Sequence, residues 1–134
     1  MADLVIDTHT AIWYFANSPE MSALATQTID NAVANGDTVI LSAISIVEII
    51  YLIDKGKLVP QTLSWLMQYL KLPNNSFITQ DLTEEIAQTL AQIPRSIVSD
   101  MPDRIIAATA LHLNLPLVTK DRKIQALQSI QTIW

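Results

Sequence analysis

Short apolar runs alternate with longer segments of helical period along this chain. Leu4-Val5-Ile6 is an unbroken apolar run closed by Asp7, the pattern of a strand buried on both faces. Residues 38–41, 77–79 and 117–119 repeat that pattern, and 131–134 reads as a last edge strand. Helices are predicted between them. One covers 8–16 and is broken by Asn17-Ser18-Pro19. The next is capped by Ser22, runs to Asn35 and closes on Gly36, the usual place for a helix-ending glycine. A third, capped by Ser42 or Ser45, runs to about Lys55 before Gly56. Further helices cover 60–72 (stopped by Pro73), 83–93 (ended by Pro94) and, capped by Asp100, the stretch to about Leu113, with a short one within 121–127. Strands alternating with helices in this way predict an α/β fold whose parallel sheet is covered on both faces.

In such sheets ligands bind beyond the C-terminal ends of the strands. Asp7 follows the first predicted strand and Asp121 follows the one at 117–119. Asp100 and Asp103 open the helix leading into that strand, and Glu48 lies early in the helix after the second. All five acids can therefore share one sheet edge. Crowded carboxylates raise one another's pKa, and a divalent cation removes the conflict. Mg²⁺ and Mn²⁺ prefer hard oxygen ligands and retain several waters. Two such ions can activate water and stabilise the leaving oxygen of a phosphodiester. This chemistry suits a metal-dependent nuclease and requires no histidine or cysteine.

Each acid also has a structural explanation. Ser45-Ile46-Val47-Glu48 fits a capping box. Asp100-Met101-Pro102-Asp103 fits a helix start with a cap, an early proline and an acid favoured by the dipole. Asp121 fits a turn or cap. Asp7 is harder to explain in this way, since a buried unpaired carboxylate is costly. Thr8, Ser45 and Thr119 either orient carboxylates or cap helices. His9 reads as a structural or rim residue and His112 as a surface one. Trp13, Trp65 and Trp134 read as core or interface.

Composition narrows the choice further. A length of 134 residues predicts one domain over 1–134. Hydrophobic residues make up 50% and charged residues only 16%, which predicts apolar surface that meets another protein chain. The apolar stretch 49–53 lies between Glu48 and Asp54, far short of the roughly 20 residues a membrane-spanning helix needs. The N-terminal residues 1–7 show no basic region followed by a long apolar core, so no leader is expected and a cytoplasmic protein is. There is no cysteine, which removes thiol nucleophiles and cysteine-bound metals. Two glycines are too few for a P-loop or dinucleotide fingerprint. The net charge of −5 argues against a general nucleic-acid binder, but bound divalent cations would offset much of it. Arg104, Lys120, Arg122 and Lys123 are four of only eight basic residues and flank Asp103 and Asp121. They are candidates for holding substrate phosphate.

With these motifs assembled, the chain resembles the PIN-domain nucleases, and among them the VapC-type toxins of toxin–antitoxin pairs. Leu4-Val5-Ile6-Asp7-Thr8-His9 with Trp13 is similar to the family's first strand and acid. The stretch from Leu41 to Ile49 is similar to the motif carrying the glutamate, here Glu48. Asp100-Met101-Pro102-Asp103-Arg104 resembles the third motif and Leu117-Val118-Thr119-Lys120-Asp121 the fourth. One departure is visible: Met101 stands where relatives often place proline directly after the first aspartate. The resemblance implies a three-layer α/β/α sandwich with a central, mostly parallel sheet of short strands. It implies that Asp7, Glu48, Asp103 and Asp121 hold Mg²⁺ or Mn²⁺, with Asp100 auxiliary, and activate water against RNA. It also implies a homodimer and a cognate antitoxin that covers the site or groove. Residues 46–53 and the helix containing Trp65, Leu66, Met67, Tyr69 and Leu70 are candidates for those contacts, with ordinary core as the alternative. Two other functions compete: a non-catalytic PIN-fold module that binds RNA or protein, and a receiver-like domain accepting phosphate on Asp7. The second ranks low because only Asp3 precedes Asp7 as an acid.

Overall fold

A computed structural model describes residues 3–134. Met1 and Ala2, which belong to the stretch read as leader-free, lie outside the described residues. The elements follow in the order β1 (Leu4–Ile6), α1 (Thr8–Phe15), α2 (Ala23–Ala34), β2 (Val39–Ser42), α3 (Ala43–Asp54), α4 (Gln61–Leu70), β3 (Phe77–Gln80) and α5 (Glu84–Thr89). A 3₁₀ turn at Leu90–Gln92 leads to α6 (Met101–Leu113), β4 (Leu117–Val118), α7 (Arg122–Gln125) and β5 (Thr132–Ile133).

The five strands join in the order β3-β2-β1-β4-β5, and every pairing is parallel. The expected mostly parallel sheet is therefore entirely parallel. Strand residues alternate between two hydrophobic clusters, as the pleat requires. Val5, Ile40 and Leu117 join α6 and α7 residues on one face. Leu4, Ile6, Val39, Leu41 and Val118 join residues of α1, α2, α3 and α4 on the other. This produces three layers, and it explains why the strands read as continuous apolar runs.

Strand order positions the site. From β1 the chain goes outward through β2 and β3, and β4 then returns to the opposite side of β1. Two neighbouring strands whose connections leave in opposite directions create a crevice at their C-terminal ends. Asp7 follows β1 and Thr119 follows β4 at that crevice. Helix α6 crosses beneath it with six consecutive buried residues, Ile105–Ala110. Four of these are alanine or threonine, so the helix packs closely to the sheet and to α3 and α5.

Two local expectations are corrected. Helix α3 is capped by Ser42, whose hydroxyl accepts the Ile44 amide at 3.2 Å. Ser45 is inside the helix and fully buried. Ser45 and Glu48 therefore do not form a capping box, and both side chains are available for other bonds. The helix expected over 83–93 is a true α-helix only to Thr89, where it tightens into the 3₁₀ turn. Gly36 and Gly56 both adopt positive φ (76° and 73°) just after α2 and α3, a conformation that favours glycine.

Candidate metal centre

Three of the acids are placed by helix starts. Asp7 caps α1, and its Oδ1 accepts the Thr10 amide at 2.9 Å. Asp100 caps α6, and its Oδ2 accepts the Asp103 amide at 3.1 Å. Asp121 caps α7, and its Oδ1 accepts the amides of Lys123 and Ile124 at 2.8 and 3.0 Å. A helix N-terminus stabilises a carboxylate both through those amides and through its dipole. The capping explanations for Asp100 and Asp121 therefore hold. They do not compete with a metal role, because one carboxylate has two oxygens and several lone pairs.

Buried hydroxyls connect the acids. Thr119, fully buried, donates to Asp7 Oδ2 and accepts the Asp121 amide at 3.0 Å. One side chain thereby links the acid after β1 to the acid after β4. Thr8 donates to Glu48, and its oxygen lies 2.8 Å from the hydroxyl of buried Ser45. The single Thr8 proton goes to Glu48, so Ser45 supplies the proton between the two hydroxyls. This chain fixes Glu48 in α3 against the start of α1.

A pocket of about 530 Å³ opens at this edge, lined by Asp7, Thr8, His9, Trp13, Glu48, Asp100, Asp103, Lys120 and Asp121. Carboxylate oxygens of Glu48, Asp100 and Asp103 lie within 4.8 Å of one another. Crowding shows in the proton affinities. Burial raises the pKa of Asp103 to about 7, reinforced by the charges of Asp100, Asp121 and Glu48. Burial also raises that of Glu48, with the Thr8 bond and nearby His9 opposing it. The structure thus brings all five predicted acids to one pocket, with Thr8 on its wall and Ser45 and Thr119 behind it.

The basic candidates separate. Lys120 lines the pocket. Arg122 and Lys123 are exposed on α7, outside the pocket lining. Arg104 is a correction: its guanidinium donates to the carbonyls of Leu90 and Ile93 at 3.1 and 3.0 Å. It ties α6 to the 3₁₀ turn, whose carbonyl ends need a donor, so it is not a free phosphate ligand.

One residue that the sequence does not point to, Glu20, enters here, and known candidates meet in a way spacing does not show. Trp13 sits beside His9 with ring centroids 5.4 Å apart, and Trp134 meets it edge-on at 6.0 Å. The Lys120 ammonium lies 5.5 Å from the Trp13 ring centroid and 2.7 Å from Glu20. No spacing rule joins Glu20 to Lys120 or Trp13 to Trp134, since only the strand order brings them together. Asp7, the residue a receiver-like reading would phosphorylate, stands after central β1 and is buried, with its two oxygens accepting from Thr10 and Thr119.

Comparison with known proteins agrees with this geometry. The family model described as PIN domain matches residues 4–129. Ribonuclease VapC22 of Mycobacterium tuberculosis is 32% identical, with the whole of both chains covered. Among solved structures, VapBC2 from Rickettsia felis, bound to a DNA fragment from its promoter, aligns with a TM-score of 0.72 at 18% identity. That alignment covers 97% of this chain and 96% of the other. DNA-bound VapBC from Salmonella typhimurium aligns with a TM-score of 0.71 at 21% identity, covering 98% and 97%.

Proposed function

Because the chain belongs to the PIN-domain family, we propose that it is a VapC-type toxin ribonuclease. In this reading it is one domain over 1–134 that hydrolyses RNA phosphodiester bonds with Mg²⁺ or Mn²⁺. The observation that carries the proposal is the pocket of five acids at the β1/β4 crevice.

The donor set fits a hard divalent cation. Glu48, Asp100 and Asp103 offer carboxylate oxygens within 4.8 Å of one another, with Asp7 and Asp121 on the same wall. A group whose carboxylate has a pKa near 7 is one in which added positive charge is worth most. We assign Asp7, Glu48, Asp103 and Asp121 as ligands, with Asp100 auxiliary. When bound, Mg²⁺ or Mn²⁺ supplies a more acidic water and charge stabilisation for the leaving oxygen. The chain's own residues preset the site. Thr119 holds Asp7 and Asp121 in fixed relation, Thr8 and Ser45 orient Glu48, and Lys120 presents a cation to substrate phosphate.

The partner reading rests on a second cleft. VapBC pairs are the structural neighbours. A cleft of about 710 Å³ lies between α1, α3 and α4, walled by Phe15, Ile49, Leu58, Val59, Trp65 and Tyr69. It suits an apolar segment of an antitoxin. Val47, Ile50 and Tyr51 form an exposed i, i+3, i+4 patch on α3, and we assign it to a homodimer contact. Among the described residues no helix is long and apolar enough to cross a membrane.

The test is calorimetric titration of Mn²⁺ into the wild type, Glu48→Gln and Asp103→Asn, paired with cleavage of an unstructured RNA. The proposal expects binding and cleavage to fall together in both variants. Undiminished cleavage in either one overturns the assignment.

A further inference from the structure

Trp13 belongs to two cavities. It lines the carboxylate pocket and also the neighbouring 300 Å³ cavity with Tyr14, Asn17, Ser18 and Met21. The residue thus stands between the acidic centre and a second cavity and is only half-buried. Its neighbours are chemically specific. His9 flanks the ring at 5.4 Å, tilted by 46°, and Trp134 meets it edge-on at 6.0 Å. Lys120 Nζ lies over the ring at 5.5 Å while bonded to exposed Glu20. The arrangement joins a base-sized aromatic surface to a cation that reaches the metal pocket.

We propose that Trp13, extended by His9, stacks an unpaired nucleobase flanking the scissile phosphate, and that Lys120 takes that phosphate. The inference rests on the ribonuclease reading above and adds the residues that would hold the base beside the scissile phosphate. A base paired within an A-form helix cannot lie flat on this ring, whereas unpaired bases stack readily on aromatic side chains. Without substrate, the Lys120 ammonium covers the Trp13 face and is neutralised by Glu20. The Glu20–Lys120 pair is an exposed ion pair, which water and salt weaken. A phosphodiester offers Lys120 an equivalent anionic oxygen. Moving Lys120 from Glu20 to the phosphate uncovers the ring for the base. Trp13 and His9 are thus positioning and specificity residues, and Trp134 is their support.

The test uses the purified full chain and a short unstructured oligoribonucleotide containing one cleavage site. Trp13→Ala is expected to raise KM by roughly 5- to 150-fold, the range for loss of one base–aromatic stack, with kcat nearly unchanged. Trp13→Tyr restores most of the loss. Removing the base of the flanking nucleotide raises KM by a similar factor for the wild type and has no further effect in Trp13→Ala. A substrate whose cleavage site is locked in a duplex is cut poorly by the wild type. Equal sensitivity of both proteins to base removal, or wild-type KM in Trp13→Ala, overturns the shelf. A fall in kcat without a rise in KM also overturns it, because that is the mark of a structural role. The ribonuclease reading fails separately, if the wild type cuts no RNA. In that case the shelf is read by tryptophan emission alone: quenching by the oligoribonucleotide that disappears in Trp13→Tyr supports it, and absence of quenching refutes it.

Discussion

Replacing Asp103 by Asn should stabilise the metal-free protein at alkaline pH, although it is expected to abolish function. Asp103 has an ordinary pKa of 3.8 that burial and the charges of Asp100, Asp121 and Glu48 raise to about 7. The folded protein therefore holds this proton more tightly than the unfolded chain does. The resulting penalty is absent below about pH 4, grows between pH 4 and 7, and is complete above pH 7. A rise of this size corresponds to roughly 4 kcal/mol on the ionised form. Part of the side chain faces water, and screening reduces this to about 2 kcal/mol. Asp103 is also in the first turn of α6, where its charge contributes about 0.5 kcal/mol favourably through the dipole. The net gain from Asp103→Asn is thus on the order of 1–2 kcal/mol. For a domain of this size that raises Tm by roughly 3–8 °C. The assay is thermal unfolding followed by circular dichroism in EDTA at pH 8.5 and at pH 4. The variant should melt higher at pH 8.5 and close to the wild type at pH 4. Adding Mn²⁺ at pH 8.5 should reverse the order, because only the wild type has the full ligand set. An unchanged or lower Tm for the variant at pH 8.5 in EDTA would refute the claim that burial and the neighbouring acids make ionised Asp103 unfavourable in the fold.

Other consequences follow from the same geometry. Saturating Mn²⁺ at about 100 times its Kd should stabilise the wild type by about 2.7 kcal/mol, read as a Tm increase that Asp7→Asn largely removes. Metal affinity should rise with pH up to about 7, since ionised Asp103 is needed and its proton must leave; calorimetry in buffers of different ionisation enthalpy detects the released proton. Thr8→Val keeps the size of the side chain but removes the donor to Glu48. It should weaken Mn²⁺ binding about 10- to 100-fold, the usual cost of losing a group that orients a ligand, with the circular dichroism spectrum unchanged. If the proposed homodimer uses the exposed α3 patch, the wild type should sediment as a dimer and Tyr51→Asp, which places a charge there, as a 14.9 kDa monomer.

The fold was largely legible because both faces of the sheet are buried. Strands such as Leu4–Ile6 then become unbroken apolar runs, and Ser22, Thr83 and Asp100 mark helix starts by chemistry that acts locally. The acids were legible for a related reason: Asp7 and Asp121 stand directly after strands, where the chain emerges at the sheet edge. What local chemistry could not decide was the choice between two equivalent caps. Ser42 and Ser45 both suit the start of α3, and only the buried position of Ser45 beside Thr8 separates them. Arg104 shows a similar limit. Its charge beside Asp103 suggests phosphate, but the carbonyls of Leu90 and Ile93 accept from its guanidinium. The shelf around Trp13 could not be read at all. Its partners Lys120 and Trp134 are more than a hundred positions away, and they meet it only because β1 is central to the sheet.

The proposed function requires that the five-acid pocket cut RNA when a divalent cation is present. The most direct test is to incubate total cellular RNA with the purified protein and Mg²⁺ or Mn²⁺ and to sequence the new 5′ ends, with EDTA and Asp7→Asn alongside. New ends are expected at a small set of unpaired positions and should vanish in both controls. Ends that persist with EDTA or in Asp7→Asn, or none under either metal with antitoxin-free protein, would contradict it.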